Sequence, residues 1–354
     1  MAQGRKILYF LGAGASVAAG AGASVQGGGY LEIPTQKSFW STFLRFSSKD
    51  NYRTIESFLF RYFKGYARVP TRKKPAKRRH DLDGIDVEEV FTFLSERIRS
   101  PSATPQMRSY AVQVWNALVE ELPRVFKKFR ANKDTRKTYK DFLESHICKN
   151  DVIISFNYDT VFEDSLRQRD AWGYEGLQDT RDRLKILKPH GSINWQDTGE
   201  GIEVGPTDGP CVVVAPTHLK FIGDYAREGE SDEHLADAST IDAGGYLDQA
   251  PQLREVWAQM ESHMREAKMF VFIGYSFPAA DLYFSSILRS ELAIRAGRRN
   301  PPSVAIVNPD AVAITQKIQQ RFSIPHVMQF FDMDQFIRLG RDHLIREIRR
   351  QNGS

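Results

Sequence analysis

The chain has 354 residues, of which 41% are apolar and 26% charged; such ordinary globular usage excludes wholesale disorder. A mean hydropathy of -0.43, with no apolar run of about 18 residues, excludes a transmembrane helix and any membrane partner. Cys148 and Cys211 are the only cysteines, which excludes a disulfide framework and a Cys-rich zinc module and fits a reducing cytoplasm. The length suggests two domains of about 150 residues each, or one core with a large insertion. The net charge of +5 is too small an excess for this length to indicate nucleic acid by itself.

Taken in chain order, Arg5 and Lys6 precede a small-residue-rich apolar stretch that imitates a secretory signal. Gly12, Gly14, Gly20 and Gly22 suit the helical segment of such a signal badly. The better parse is a buried strand, Lys6–Leu11, running into the loop Gly12-Ala13-Gly14-Ala15-Ser16. The same pentapeptide recurs at 20–24, where it reads as part of a flexible Gly-rich connection through Gly29. Residues 36–149 read as a helical insertion, with helices over Ile55–Tyr66, Val87–Arg99 and Met107–Phe129. The second opens on a capping-box-like Asp86 and Glu89, and Pro123 kinks the third. Arg72–Arg79 is strongly basic, with Pro70 and Pro75 breaking any helix there. It reads as a solvated loop, the alternative being contact with nucleic acid or an acidic partner.

Short apolar runs with little alternation follow at Val152–Phe156, Leu184–Leu187, Cys211–Val214, Met269–Ile273 and Val304–Val307, with a weaker one at Val327–Phe331. Such runs suit parallel strands covered on both faces. Helical patterns at Thr160–Arg169, Ala280–Ala296 and Ala311–Phe322 alternate with them. The expected fold is therefore α/β, a doubly wound (Rossmann-like), mostly parallel sheet with a large helical insertion. The expected core is residues 1–35 and 150–335, closed by an amphipathic helix over 336–354 with Ile337, Leu344 and Ile348 inward. Thr217–Gln252, rich in Gly, Asp and Glu, reads as a mobile excursion.

Ligands of an open parallel sheet bind beyond the carboxyl ends of its strands. Five such ends carry polar or glycine-rich sets: Gly12-Ala13-Gly14-Ala15-Ser16, Asn157-Tyr158-Asp159, Lys188-Pro189-His190-Gly191-Ser192, Gly274-Tyr275-Ser276 and Asn308-Pro309-Asp310. Glycines let a backbone turn sharply and approach a diphosphate, although Gly-Ala-Gly also serves as a plain tight turn. Asn157, Asp159 and His190 can orient a sugar and accept a proton. Each also has a simpler reading, Asp159 as the cap of the helix that follows it. The ribose-binding acid of a dehydrogenase is missing at the required spacing.

As an ordered set these five motifs resemble the sirtuin NAD-binding core, over residues 5–35 and 150–335. They are more similar still to the sirtuin-like NAD-hydrolysing domains of bacterial anti-phage defence systems. Ile33-Pro34 resembles the Ile-Pro after the sirtuin glycine motif, whereas the usual Phe-Arg pair is absent at Thr35-Gln36. The resemblance implies that Gly12, Ala13, Gly14 and Ser16 hold the diphosphate and that Gly274 and Ser276 lie near the adenine-side ribose. It places Asn308 on the adenosine ribose, Asn157 and Asp159 around the nicotinamide ribose, and His190 as general base. NAD is then a substrate. With two cysteines and no four-cysteine zinc module, water is the expected acceptor, giving ADP-ribose and nicotinamide. The resemblance further implies NAD depletion in abortive infection, self-assembly into a homo-oligomer, and control by a separately encoded partner such as a HerA-type ATPase. The alternatives are a regulatory subunit that binds NAD or ADP-ribose without turnover and, further off, a protein deacylase or ADP-ribosyltransferase.

Overall fold

The computed structural model describes residues 5–25, 29–66, 69–70, 74–166, 171–205, 211–213, 251–279, 281–297, 301–322, 324 and 326–352. From the N-terminus run β1 (Ile7–Leu11), α1 (Ala13–Ala18), β2 (Gly22–Val25), β3 (Gly29–Glu32) and a short 3-10 turn at Gln36–Ser38. Helices α2 (Phe39–Phe46), α3 (Lys49–Phe63), α4 (Pro75–Leu82), α5 (Val87–Arg99), α6 (Pro105–Phe126) and α7 (Lys133–His146) follow. Next come β4 (Val152–Ser155), α8 (Val161–Asp164), β5 (Trp172–Tyr174), β6 (Leu184–Leu187), β7 (Trp195–Asp197) and β8 (Ile202–Val204). The chain closes with α9 (Pro251–Glu266), β9 (Met269–Ile273), α10 (Leu282–Gly297), β10 (Ser303–Val307), α11 (Ala311–Phe322), β11 (Val327–Phe330) and α12 (Met333–Asn352).

Two compact units divide this chain. One comprises Met1–Ile33, Phe129–Ser192 and Gln252–Ser354, the other Pro34–Lys128 and Ile193–Pro251. The first unit holds a seven-stranded sheet in the order β11-β10-β9-β1-β4-β6-β5, every pairing parallel. The fold is a doubly wound α/β sheet. Every residue of β1, β4, β9 and β10 is buried, which is why these strands read as unbroken apolar runs rather than alternating ones. Phe10 stacks on Phe272 at 4.6 Å between ring centres and meets Phe284 of α10 at 5.5 Å, so β1 centres the core. Connections from β1 lead toward β4 on one side, while β9 returns to its other side. The order therefore reverses between β1 and β9, where such sheets open a crevice at their carboxyl ends.

In the closing helix Leu344 and Ile348 are buried, and Phe336 rather than Ile337 is fully inward. Gly340, at φ 64°, breaks α12 into two segments. Arg341 just past this break donates to the carbonyls of Arg5 (2.7 Å) and His146 (2.8 Å) and pairs with buried Asp151. It thereby ties both chain ends to the start of β4.

In the second unit, Asp86 caps α5 by accepting from the Glu88 amide at 2.9 Å, and Pro123 sits inside α6. Several sequence expectations are corrected. Pro75 does not prevent a helix but begins one, because the first helical position needs no amide donor and its fixed φ suits the turn. Arg78 of that helix pairs with buried Glu56 at 3.0 Å, so the basic run is not uniformly solvated; residues 71–73 lie outside the described residues. Among the described residues Cys211–Val213 forms no named strand; Val212 donates to the Trp195 carbonyl within the second unit, and Val213 makes a single β-bridge. Val214 and nearly all of Thr217–Gln252 also lie outside the described residues. The repeat at 20–24 is not a loose connection, since Gly22–Val25 pairs antiparallel with Gly29–Glu32. The helix expected over Thr160–Arg169 is the four-residue α8, and residues 167–170 lie outside the described residues.

Candidate functional site

Three glycines bring the β1 and β9 ends together. Gly274, at φ 62°, accepts the Gly14 amide at 3.0 Å and donates to Val307 at 2.9 Å. A Cβ on Gly12 would lie 2.6 Å from the Gly274 oxygen, and one on Gly14 2.9 Å from the Gly274 Cα. Backbone touches backbone here, so these glycines have a packing reason independent of any ligand. Ala13 opens α1 half-buried, and Ser16 is buried two residues into the following turn.

The β4 end crosses this loop. Asn157 Nδ2 donates to the Gly12 carbonyl at 3.0 Å and to Ser16 Oγ at 3.3 Å. Asp159 Oδ1 accepts the Val161 amide at 3.0 Å and lies 3.4 Å from Ser16 Oγ. Asp159, one residue before the N-cap position Thr160, thus takes up the first amide of α8. Lys188, fully buried at the β6 end, donates to the Asp159 carbonyl at 2.5 Å and pairs with buried Glu163 at 3.0 Å, fastening the β4 and β6 loops to each other. His190 follows two residues later, buried, its ring 5.0 Å from Phe156 and 6.0 Å from Trp257. Its Nε2 lies 3.8 Å from Oδ2 of Asp281, a carboxylate 1% exposed.

Gly12, Gly14, Ser16, Asn157, Asp159 and Gly274 thus form one linked cluster, with His190 joined to it through Phe156 and the Lys188 loop. Ser276 and Asn308 are placed differently. Ser276 is exposed, and its carbonyl, like that of Phe277, accepts Lys317 Nζ. The Asn308 side-chain oxygen accepts the Asp310 amide at 2.9 Å. Sequence reasoning gave Lys188 no role of its own and missed Glu163 and Asp281. The only trace of the last was its place at the start of a helical pattern. No group of three or more His, Cys, Asp or Glu able to hold a metal occurs among the described residues.

Burial pushes the Asp159 carboxyl up from 3.8 to about 6, against the pull of the Lys188 charge. Between those values the folded chain keeps a proton that the unfolded chain has released, so stability falls as pH rises through the window. Asp159→Asn keeps an acceptor for the Val161 amide and removes the charge. It is expected to raise stability at pH 7 by up to about 3 kcal/mol and to flatten the pH 4–6 slope in denaturant titrations. An unchanged slope would contradict this account.

Asn157, Asp159, His190, Gly274, Ser276 and Asn308 all fall in a segment with a family match. Residues 151–324 match the SIR2-like domain. Gly12–Ser16 precede the matched SIR2-like segment and join it through β1, which pairs with its first strand. A Sir2 homologue mutant in complex with ADP-ribose is similar at 15% identity and a TM-score of 0.38, covering 99% of this chain and 94% of that one. A Sir2 homologue–NAD complex is similar at 15% identity and 0.38, with 98% and 91% covered. No curated protein sequence matches significantly.

Proposed function

We propose that the SIR2-like domain binds NAD at the carboxyl ends of β1, β4, β6, β9 and β10 and hydrolyses its nicotinamide–ribose bond. The observation that carries this reading is the meeting of Asn157 and Asp159 with the Gly12–Ser16 loop, with His190 from the adjacent strand end packed on Phe156 beside them. Nicotinamide leaves as C1′ of the ribose gains oxocarbenium character, and fixed dipoles aimed at that charge lower the barrier. Imidazole titrates near neutral pH and suits a base that takes the proton of the attacking water. Asn157, whose Nδ2 is held by the Gly12 carbonyl and Ser16, adds no charge where it would orient the water or a ribose hydroxyl.

Incubation with NAD followed by mass spectrometry is expected to give ADP-ribose and nicotinamide. His190→Ala is expected to lose about 10²- to 10⁴-fold in kcat, and Asn157→Ala to lose turnover with the fold intact. NAD left unconsumed by the wild-type protein and its assemblies would refute hydrolysis. One observation favours binding without turnover: the Asn157 amide nitrogen is engaged within the chain. Calorimetric NAD binding without product would establish that reading instead. Unchecked NAD hydrolysis harms the cell that makes the enzyme, so we infer regulated use in anti-phage defence, through self-assembly or a HerA-type partner. A fully active monomer would contradict that regulation.

A further inference from the structure

The β9–α10 segment brings to His190 a charged side chain that none of the strand-end motifs contains. Tyr275 donates its hydroxyl to Asp281 Oδ2 at 2.6 Å, and that same oxygen faces His190 Nε2 at 3.8 Å. All three residues are buried. Around the imidazole stand Phe156 and Tyr158 from the β4 end, Trp257 from α9 and Asp281 from the start of α10. Of these Asp281 is the charged group and Tyr158 the other titratable one. A 3.8 Å separation is ion-pair distance, and catalytic hydrogen bonds are commonly long before substrate tightens them.

We propose that Asp281, held by Tyr275, is the positioning residue of His190. It orients the imidazole with Nε2–H toward the carboxylate, leaving Nδ1 to accept a proton. This inference rests on the hydrolytic reading above. In the reaction, a proton of the attacking water passes to Nδ1 while the water oxygen bonds to C1′ of the ribose. The C1′–N bond breaks, and its electron pair stays with nicotinamide, which leaves neutral. The imidazolium so formed sits against the Asp281 carboxylate in a site where water is largely excluded, so the charge is balanced where it appears.

A purely structural role offers itself too, because Asp281 directly precedes α10, where acidic side chains commonly cap helices. Asn caps as well as Asp, so Asp281→Asn separates the two roles. The full-length variant is expected to bind NAD as the wild type does by calorimetry. Its kcat should fall about 10²- to 10⁴-fold with little change in KM, and the acidic limb of its pH–rate profile should move to lower pH. NMR titration of the His190 ring, assigned by its absence in His190→Ala, supplies a readout independent of turnover. Its midpoint is expected to move to lower pH in Asp281→Asn. In Tyr275→Phe, where the carboxylate no longer shares its charge with the phenol, it should move up. Tyr275→Phe also serves if Asp281→Asn fails to fold. A His190 midpoint unmoved in the folded variants overturns the proposal. A midpoint that moves while wild-type protein leaves NAD intact upholds the pair and refutes only the hydrolytic reading.

Discussion

Gly274→Ala is expected to cost about 4 kcal/mol or more of folding stability, enough to leave most of the chain unfolded or misassembled at the β1–β9 junction. Two penalties act together. The backbone at φ 62° lies in the left-handed region, which costs a non-glycine residue of order 1–2 kcal/mol. The larger penalty is steric, since a Cβ there would overlap the Ala15 nitrogen and the Gly14 carbonyl carbon. Neither atom can retreat, because Gly14 N–H is bonded to the Gly274 oxygen and Ala15 N–H to the Gly12 oxygen. Gly65, also at positive φ but with nothing near its Cβ, provides the control. Gly65→Ala carries only the conformational penalty of about 1–2 kcal/mol. Urea titrations of the two variants would decide the matter. Equal losses would show that close packing at the switch point is not the dominant effect.

Lys188→Met is expected to cost about 3–5 kcal/mol, because it leaves the buried Glu163 carboxylate without its cation. Glu163 would keep the Tyr174 hydroxyl, which donates to its Oε1 at 3.0 Å, but that neutral donor does not balance the charge. The same change removes the donor to the Asp159 carbonyl and the positive charge that opposes the upward shift of Asp159. Lys188→Met combined with Glu163→Gln should recover much of the loss, since no unpaired charge then remains buried. A double-mutant cycle at pH 7 measures this coupling. Additive losses would mean that the pair is not energetically linked. Because Lys188 lies two residues before His190, the single variant should also loosen the β6 loop, which His190 NMR line widths would report.

Much of the scaffold is legible in residue order. The runs at Ile7–Leu11, Val152–Ser155, Met269–Ile273 and Ser303–Val307 announce buried parallel strands because both of their faces are covered. Edge elements were harder to see. Trp172–Tyr174, the β5 edge, is three residues long with Trp172 half-exposed, so it gives no continuous apolar run. Cys211–Val213 has such a run, yet among the described residues it forms no named strand, because burial against any partner selects apolar residues and only sustained pairing makes a strand.

The opening inventory of two cysteines, modest charge and ordinary composition ruled out whole classes of protein. The order of polar residues after the apolar runs singled out Asn157, Asp159 and His190. Local sequence can do this because strand burial and the chemistry of short loops are written residue by residue. Only the tertiary structure decided that Gly12, Gly14 and Gly274 are packed backbone to backbone, that Lys188 pairs with Glu163, and that Asp281 faces the candidate base. Those facts join residues up to 262 positions apart, as Gly12 and Gly274 are. Such pairings depend on strand order, and no local pattern specifies which strand ends become neighbours.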